Sequence, residues 1–299
     1  MGLAMAMETG VRGQEGPSFS LGEPRGTITQ PEINEASGLV ASVANLGSFW
    51  THNDSGDAAR IFLLNDRAQL RATYYLSGVE ARDWEDIGTM TRAGRNFLLI
   101  GDMGDNGARY PSVRIHVVEE PVVTSDTPSV DTLPAAGIHT FVLTYDKGPR
   151  DAESLFFDPI DQYLYVISKR ELQVGVYRTA LPELEPTGGT QADTLVLRQV
   201  GTIPYTFMTA ADISRDGTEL LVKNLTNVFY WRRDPGESVA GALRKPAIRL
   251  PYKPEPQGEA ITFSPDGQGY YTVSEAALGM DAILYFYQRQ GSITEIKTK

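Results

Sequence analysis

Short apolar runs recur along the chain, each cut off by Gly, Pro, Asn, Asp or Ser, and helical periodicity is almost absent. Five of these runs begin with a similar polar motif: EASGL (35–39), DWEDI (83–87), DAESL (151–155), TAADI (209–213) and QGEAI (257–261). Each motif ends in Leu or Ile and is followed by a turn such as NLG, RAG, DPIDQ, RDG or SPDG. A second β-type run comes next: SFWTHND, NFLLIGD, YLYVISK, ELLVKN and YYTVSE. A third follows after a polar loop, as RIFLLN, VRIHVVEE, VGVYRTAL, NVFYWRR and AILYFYQR. A weaker fourth precedes the next motif, as LRATYYL, HTFVLTY, LRQVGTIPY and AIRLPY.

Four strands per unit, repeated at a period of roughly 45–65 residues, predict an all-β chain folded as a single β-propeller. Five blades are counted, with six as the alternative if a further blade hides in 120–150, where VVTSDTPSVDTLPAAG (122–137) reads as a long loop. A two-sheet sandwich fits less well, because sandwiches seldom repeat one local motif in every unit. GTITQ (26–30) precedes the first motif as the fourth run precedes the others, so it is expected to complete the last blade. GSITEIKTK (291–299) competes for that place. Residues 1–25 are polar and Gly-rich and read as a disordered leader or cloning remnant, leaving 26–299 as the propeller domain.

The formal net charge of −11 disfavours nucleic acid or an anionic membrane as partner and suits cations. The absence of cysteine removes disulfides, thiol catalysis and thiolate metal sites. No apolar stretch is long enough for a membrane-spanning helix, and no P-loop, Gly-x-Gly-x-x-Gly or Gly-x-Ser-x-Gly element occurs. The expected state is a monomer that takes a small molecule or a glycan. An extracellular or periplasmic location is expected, with the cytoplasm as the alternative.

In a propeller, the start of each first strand and the end of each second strand emerge at one mouth of the central channel. The starts bring Glu35, Asp83, Glu85, Asp86, Asp151, Glu153, Asp212 and Glu259. The ends bring His52, Asn53, Asp54, Asp102, Lys169, Arg170, Lys223, Asn224, Ser274 and Glu275. So many carboxylates need compensation, from lysine and arginine or from a bound cation. Oxygen donors favour a hard ion, Ca²⁺ before Mg²⁺, and histidines 52, 116 and 139 are too scattered for zinc. The expected metal ligands are Glu35, Asp83, Glu85, Asp102, Asp105, Asn106, Glu153, Asp212 and Glu259. Catalytic roles are assigned to His52, Asp54, Glu85, Lys169 and Lys223, and substrate binding to Asn53, Arg109, Arg170, Asn224 and Glu275. His52 enters as a general base, because imidazole titrates near neutrality.

At these motifs the chain resembles a loose group of bacterial propellers: the esterase-like phytase family, the related proteins named for regulation by a quorum-sensing receptor and, more distantly, the β-propeller phytases. The resemblance rests on E-x-S-G-L (Glu35, Ser37, Gly38, Leu39), the D-x-E starts (Asp83 and Glu85, Asp151 and Glu153) and the hairpin G-E-A-I-x-F-x-P-D-G (258–267). It implies a calcium-bound channel and, for true phytases, hydrolysis of phosphomonoesters by a metal-activated water. Lys169, Arg170 and Lys223 would then hold phosphate, with Glu85, Glu153 and Glu259 on the metal. The chain departs from that pattern in thinner acidic runs, in Ala211 at the motif position of Glu85, and in five units where phytases have six blades. The leading expectation is a calcium-dependent hydrolase of phosphoesters or esters. The alternatives are a non-catalytic ligand- or glycan-binding propeller with a structural calcium, and a metal-dependent lactonase or lyase.

Overall fold

A computed structural model describes residues 16–184, 189–190, 194–277 and 279–291. Its strands fall into five four-stranded units. Blade one is Ala36–Ala41, Ser48–Asn53, Arg60–Asn65 and Leu70–Leu76. Blade two is Trp84–Arg92, Arg95–Asp102, Val113–Glu119 and Ile138–Tyr145. Blade three is Ala152–Phe157, Tyr163–Ser168, Val174–Ala180 and Leu195–Ile203. Blade four is Met208–Ile213, Glu219–Asn224, Val228–Arg232 and Ile248–Leu250. Blade five takes Gly258–Phe263, Gly269–Ser274 and Ile283–Gln290 from the end of the chain, and its outer strand, Glu23–Thr27, from the beginning.

That closure places the start of the chain where GTITQ was expected, a few residues earlier. Ser18–Phe19 also pairs with Ile283–Gln290, so strands lie within the stretch read as a leader. The competing segment, 291–299, lies outside the described residues except for Gly291. The long loop at 122–137 contains Ser129–Leu133, which pairs in parallel with Leu70–Leu76 as a fifth strand and caps the outer edge of blade one. The outer strands of blades two and three also pair in parallel, Leu143 to Leu195 through Tyr145 to Leu197.

The core is divided into apolar interfaces between consecutive blades. Trp50, Ile61 and Leu63 of blade one meet Trp84, Ile87 and Leu98 of blade two. Ala36, Leu39, Phe49 and Phe62 of blade one meet Ala260, Tyr271, Val273 and Leu284 of blade five, so the ring closes. Each blade is covered on both faces, which is why the first and second strands read as continuous apolar runs and not as alternations. Burying one Leu or Phe side chain contributes about 2 kcal/mol. Stability therefore resides in these interfaces, and loops of unequal length are tolerated between them.

The first strands pack side by side in the order one, two, three, four, five, one around the channel. Polar side chains bind the backbone of neighbouring strands there. Ser37 Oγ donates to the Glu85 carbonyl at 2.8 Å, and Thr209 Oγ1 to the Gly258 carbonyl at 3.1 Å. Asp86 accepts from Leu155 N at 2.8 Å, Asp212 from Phe263 N at 2.8 Å, and Thr262 Oγ1 from Ala41 N at 3.1 Å.

Candidate functional site

Every first strand carries a β-bulge near its start. The register shifts between Ser37 and Leu39, Trp84 and Asp86, Ala152 and Ser154, Met208 and Ala210, and Gly258 and Ala260. The extra residues are Gly38, Glu85, Glu153, Thr209 and Glu259. A bulge leaves one residue unpaired in the ladder and re-aims its side chain. Three glutamates therefore occupy equivalent bulges on blades two, three and five. Gly38 suits its bulge because its φ is +66° and an added Cβ would press on Ile87 N and His52 Nε2.

The bulge also corrects the sequence alignment on blade four. Thr209, not Ala211, is the counterpart of Glu85. Asp212 lies three residues further along, towards the far end of the channel, where it lines a pocket of about 150 Å³ with Phe156, Ile213 and Arg215. Its carboxylate accepts from Thr262 Oγ1, Phe263 N and Ile213 N. Asp212 thus joins strands and does not belong to the set of ligands at the mouth, contrary to the expectation from sequence.

The convergence expected at the mouth does occur. Asp54 N donates to the Glu35 carbonyl, Met103 N to that of Asp83, Lys169 N to that of Asp151 and Glu275 N to that of Gln257. Seven carboxylates meet there in three overlapping groups: Asp54, Glu259 and Glu275; Asp54, Asp83 and Glu85; and Glu85, Asp151 and Glu153. Within each group the ligand atoms lie within 4.8 Å of one another. Glu85, Asp151, Glu153, Glu259 and Glu275 are buried. Glu153 Oε2 and Glu259 Oε2 are buried with no hydrogen-bond partner. Gly104 fits against the cluster, since a Cβ there would collide with the Glu85 and Asp83 carboxylates.

Burial and mutual repulsion shape the electrostatics. Burial, then Asp54 and Asp83, push Glu85 well above the usual carboxylate range, with Lys169 opposing. Glu275 rises to about 8 through burial and its neighbours Glu259, Asp54 and Glu35. Asp83 rises to about 6 through burial and the nearby Asp54. Glu259 and Asp54 are also raised, chiefly by burial.

The basic groups at the mouth are already engaged. Lys169 Nζ is paired with Glu153 Oε1, and Arg170 with Asp151 and Asn106. Lys223 is fully buried beneath the Tyr252 ring and donates to the carbonyls of Gly258 and Asn224. Burial lowers Lys223 to about 8, opposed by Glu255 and Glu259. Arg109 is exposed and lines a cleft of about 500 Å³ with Asp83, Asp105, Asn106, Gly107 and Tyr110.

Several expected site residues have structural partners. His52 is fully buried, its Nδ1 lies 2.8 Å from the Asn53 carbonyl, and burial lowers it to about 4, which leaves it neutral at pH 7. Asn53 Nδ2 donates to the Glu32 carbonyl and to Asp57, each at 2.7 Å. Asp102 accepts from Asp83 N at 2.9 Å and pairs with Arg114 at 3.4 Å. Asp105 accepts from Tyr110 N, and its own N–H donates to Asp151 Oδ1. Asn224 accepts from Thr226 N and Asn227 N, which shapes the turn. Glu35 is half-buried at the rim, within electrostatic reach of Glu275. Gly104 and Thr209 were missed in the sequence. The Gly-x-x-Gly spacing of GDMGDNG was the available signal for Gly104, and nothing short of the register marks Thr209.

No family model matches the chain, and no curated protein does. Among solved structures, the PQQ-bound form of an aldose sugar dehydrogenase from Streptomyces coelicolor aligns with a TM-score of 0.50 at 11% identity, covering 92% of this chain and 100% of that one. A nidogen/laminin complex aligns with a TM-score of 0.48 at 12% identity, covering 83% of this chain and 74% of that one. At such identity the dehydrogenase likeness speaks for the fold alone. The chain is an all-β propeller whose bulged first strands gather carboxylates at one mouth of the channel.

Proposed function

We propose that the mouth binds a hard divalent cation, calcium before magnesium, and that the protein is a hydrolase of phosphoesters or esters. The observation that carries the cation reading is the buried, unpartnered Glu259 Oε2, in a carboxylate group with no lysine or arginine in ion-pair contact among the described residues. An uncompensated buried carboxylate is costly, and a metal ion is one of the few partners that relieves it. The donors are all oxygen and come from bulges and strand ends, which suits an ion with many ligands and adaptable geometry. Asp54 and Glu85 each belong to two of the three groups and meet in the one they share with Asp83. Asp102 is left out of the ligand set because both its oxygens are taken, Oδ1 by Asp83 N and Oδ2 by Arg114, and Asn224 is left out of the site because its single oxygen holds the N–H groups of Thr226 and Asn227.

A bound calcium would polarise a substrate oxygen and acidify a bound water. Arg109 would orient an anionic group in the adjoining cleft, with Tyr110 beside it. Arg170 would hold Asp151 and Asn106 in place at the lip. His52 would support the mouth by packing, since burial keeps it from trading protons with solvent.

One observation favours the non-catalytic reading, in which calcium locks the blades and the cleft binds a ligand. Lys169, Arg170 and Lys223 all have protein partners, so of these basic residues and Arg109 only Arg109 is exposed without an ion pair among the described residues.

The first test is thermal unfolding of chelator-treated protein titrated with Ca²⁺, Mg²⁺ and Zn²⁺. A ligand that binds only the native state raises the midpoint. A calcium-selective rise is the expected result, and no rise with any ion overturns the cation reading. Release of nitrophenol from 4-nitrophenyl phosphate and 4-nitrophenyl acetate, with and without calcium, then separates the hydrolase from the binder.

A further inference from the structure

The three carboxylate groups differ in how they are compensated. The two that contain Asp54 have no lysine or arginine in ion-pair contact with Asp54, Glu85, Glu259 or Glu275 among the described residues. The third has Lys169 on Glu153 and Arg170 on Asp151. Lys169 is held in place from its backbone outward: its N–H donates to the Asp151 carbonyl at 2.8 Å, and its carbonyl accepts from Phe207 N at 2.6 Å. Its ammonium also lies within electrostatic reach of Asp54, Glu85 and Glu259. Yet it satisfies only one oxygen of Glu153 and leaves Oε2 buried without a partner on a residue that is 3% exposed.

We infer that Lys169 is a tethered occupant of a second cation position, formed by Glu85, Asp151 and Glu153, and that its ammonium keeps a divalent ion out of that position. This rests on the reading of the mouth as a cation site. A carboxylate oxygen already paired with an ammonium would have to release it before closing to the 2.3–2.6 Å typical of calcium. Two cations sharing these carboxylates would also repel each other across a buried, weakly screened space. The resident ion therefore sits on the Asp54 side. Glu153, which shares the bulge position of Glu85 and Glu259, serves the lysine instead.

The test is the number of calcium ions bound per chain, measured by isothermal titration calorimetry and by metal analysis after equilibrium dialysis of the full chain. Lys169→Met should raise that number by one, and Lys169→Arg should leave it unchanged. Lys169→Met combined with Glu153→Gln should return it to the wild-type value. An unchanged count in folded Lys169→Met overturns the inference. If that variant does not fold, Glu153→Gln alone decides: the inference requires the wild-type count to persist, and loss of an ion refutes it. A wild type that binds no calcium overturns the proposed function instead. In that case, one ion bound by Lys169→Met would still uphold the lysine as occupant.

Discussion

Glu85 and Asp86 are adjacent acids on the same strand, and both are buried, but they have opposite surroundings. Asp86 accepts from Leu155 N at 2.8 Å and Ile87 N at 2.9 Å, so it ties blade two to blade three. No hydrogen bond reaches the Glu85 carboxylate from the described residues; it rests against Gly104 among other acids. Asp212 repeats the Asp86 pattern between blades four and five, while Glu153 and Glu259 share the bulge position of Glu85. The contrast teaches that a buried acid is not by itself a site. Donors supplied by the fold make it a brace, and their absence makes it available to a ligand.

The largest way to break this comparison is Asp86→Ala. Two buried N–H groups lose their acceptor, at a cost of about 3 kcal/mol of stability, and the loss should be the same with calcium or chelator present. Denaturant unfolding in both conditions checks it. A loss confined to calcium-loaded protein would make Asp86 a ligand. Glu259→Gln should behave in the opposite way, leaving chelated protein near wild-type stability while abolishing the calcium-dependent gain. That gain is about 2.7 kcal/mol for one site at a hundredfold excess over Kd. Thermal midpoints with and without calcium measure it, and an intact calcium response would remove Glu259 from the site.

Gly104→Ala sharpens the comparison from the backbone side. The added methyl displaces the Glu85 and Asp83 carboxylates, so calcium affinity should fall about tenfold, or about 1.4 kcal/mol. Calorimetric titration reads the change directly. The smallest effect is a pH dependence. Glu275 (about 8) and Asp83 (about 6) hold protons in the metal-free native state that unfolded carboxyls, near 4, release. The native state binds more protons from about pH 4 upward, so stability falls as pH rises from about 4, through 6 for Asp83 and through 8 for Glu275. His52 and His116, lowered to about 4 by burial, act the other way and lose their contribution as pH falls from about 6.5 towards 4. The two histidines offset the acids only below about pH 6.5, so chelated protein should lose stability most clearly between about pH 6.5 and 8, and calcium should flatten that decline. Thermal midpoints across that range test both limbs, and an alkaline limb unchanged by calcium would separate the acids from the metal.

Much of the fold was legible because each blade repeats the same run of apolar strands and turn residues. The first three strand runs of every unit, and the fourth runs of blades one to four, appear where the pattern put them. The loop at 122–137 was misread in part because Ser129–Leu133 is short, polar and mostly exposed, so its burial pattern gives no signal. The convergence of acids at one mouth was legible too, since it follows from strand direction alone. The residue-level site was less so. TAADI aligns by its terminal apolar residue two positions away from its structural counterpart, because the bulge on blade four comes earlier.

The sequence by itself determined an all-β repeat, the strand order within each unit and the end of the channel at which the charge would gather. These depend on local periodicity and chain direction, which no distant contact alters. Only the tertiary structure decided which acids are braces and which are open. That depends on whether an N–H from the next blade comes within about 3 Å of a given oxygen. It also decided that Lys223 and His52 are sealed inside and that Lys169 stands among the carboxylates. Burial and pairing are properties of the closed ring, created when first strands far apart in the chain come together.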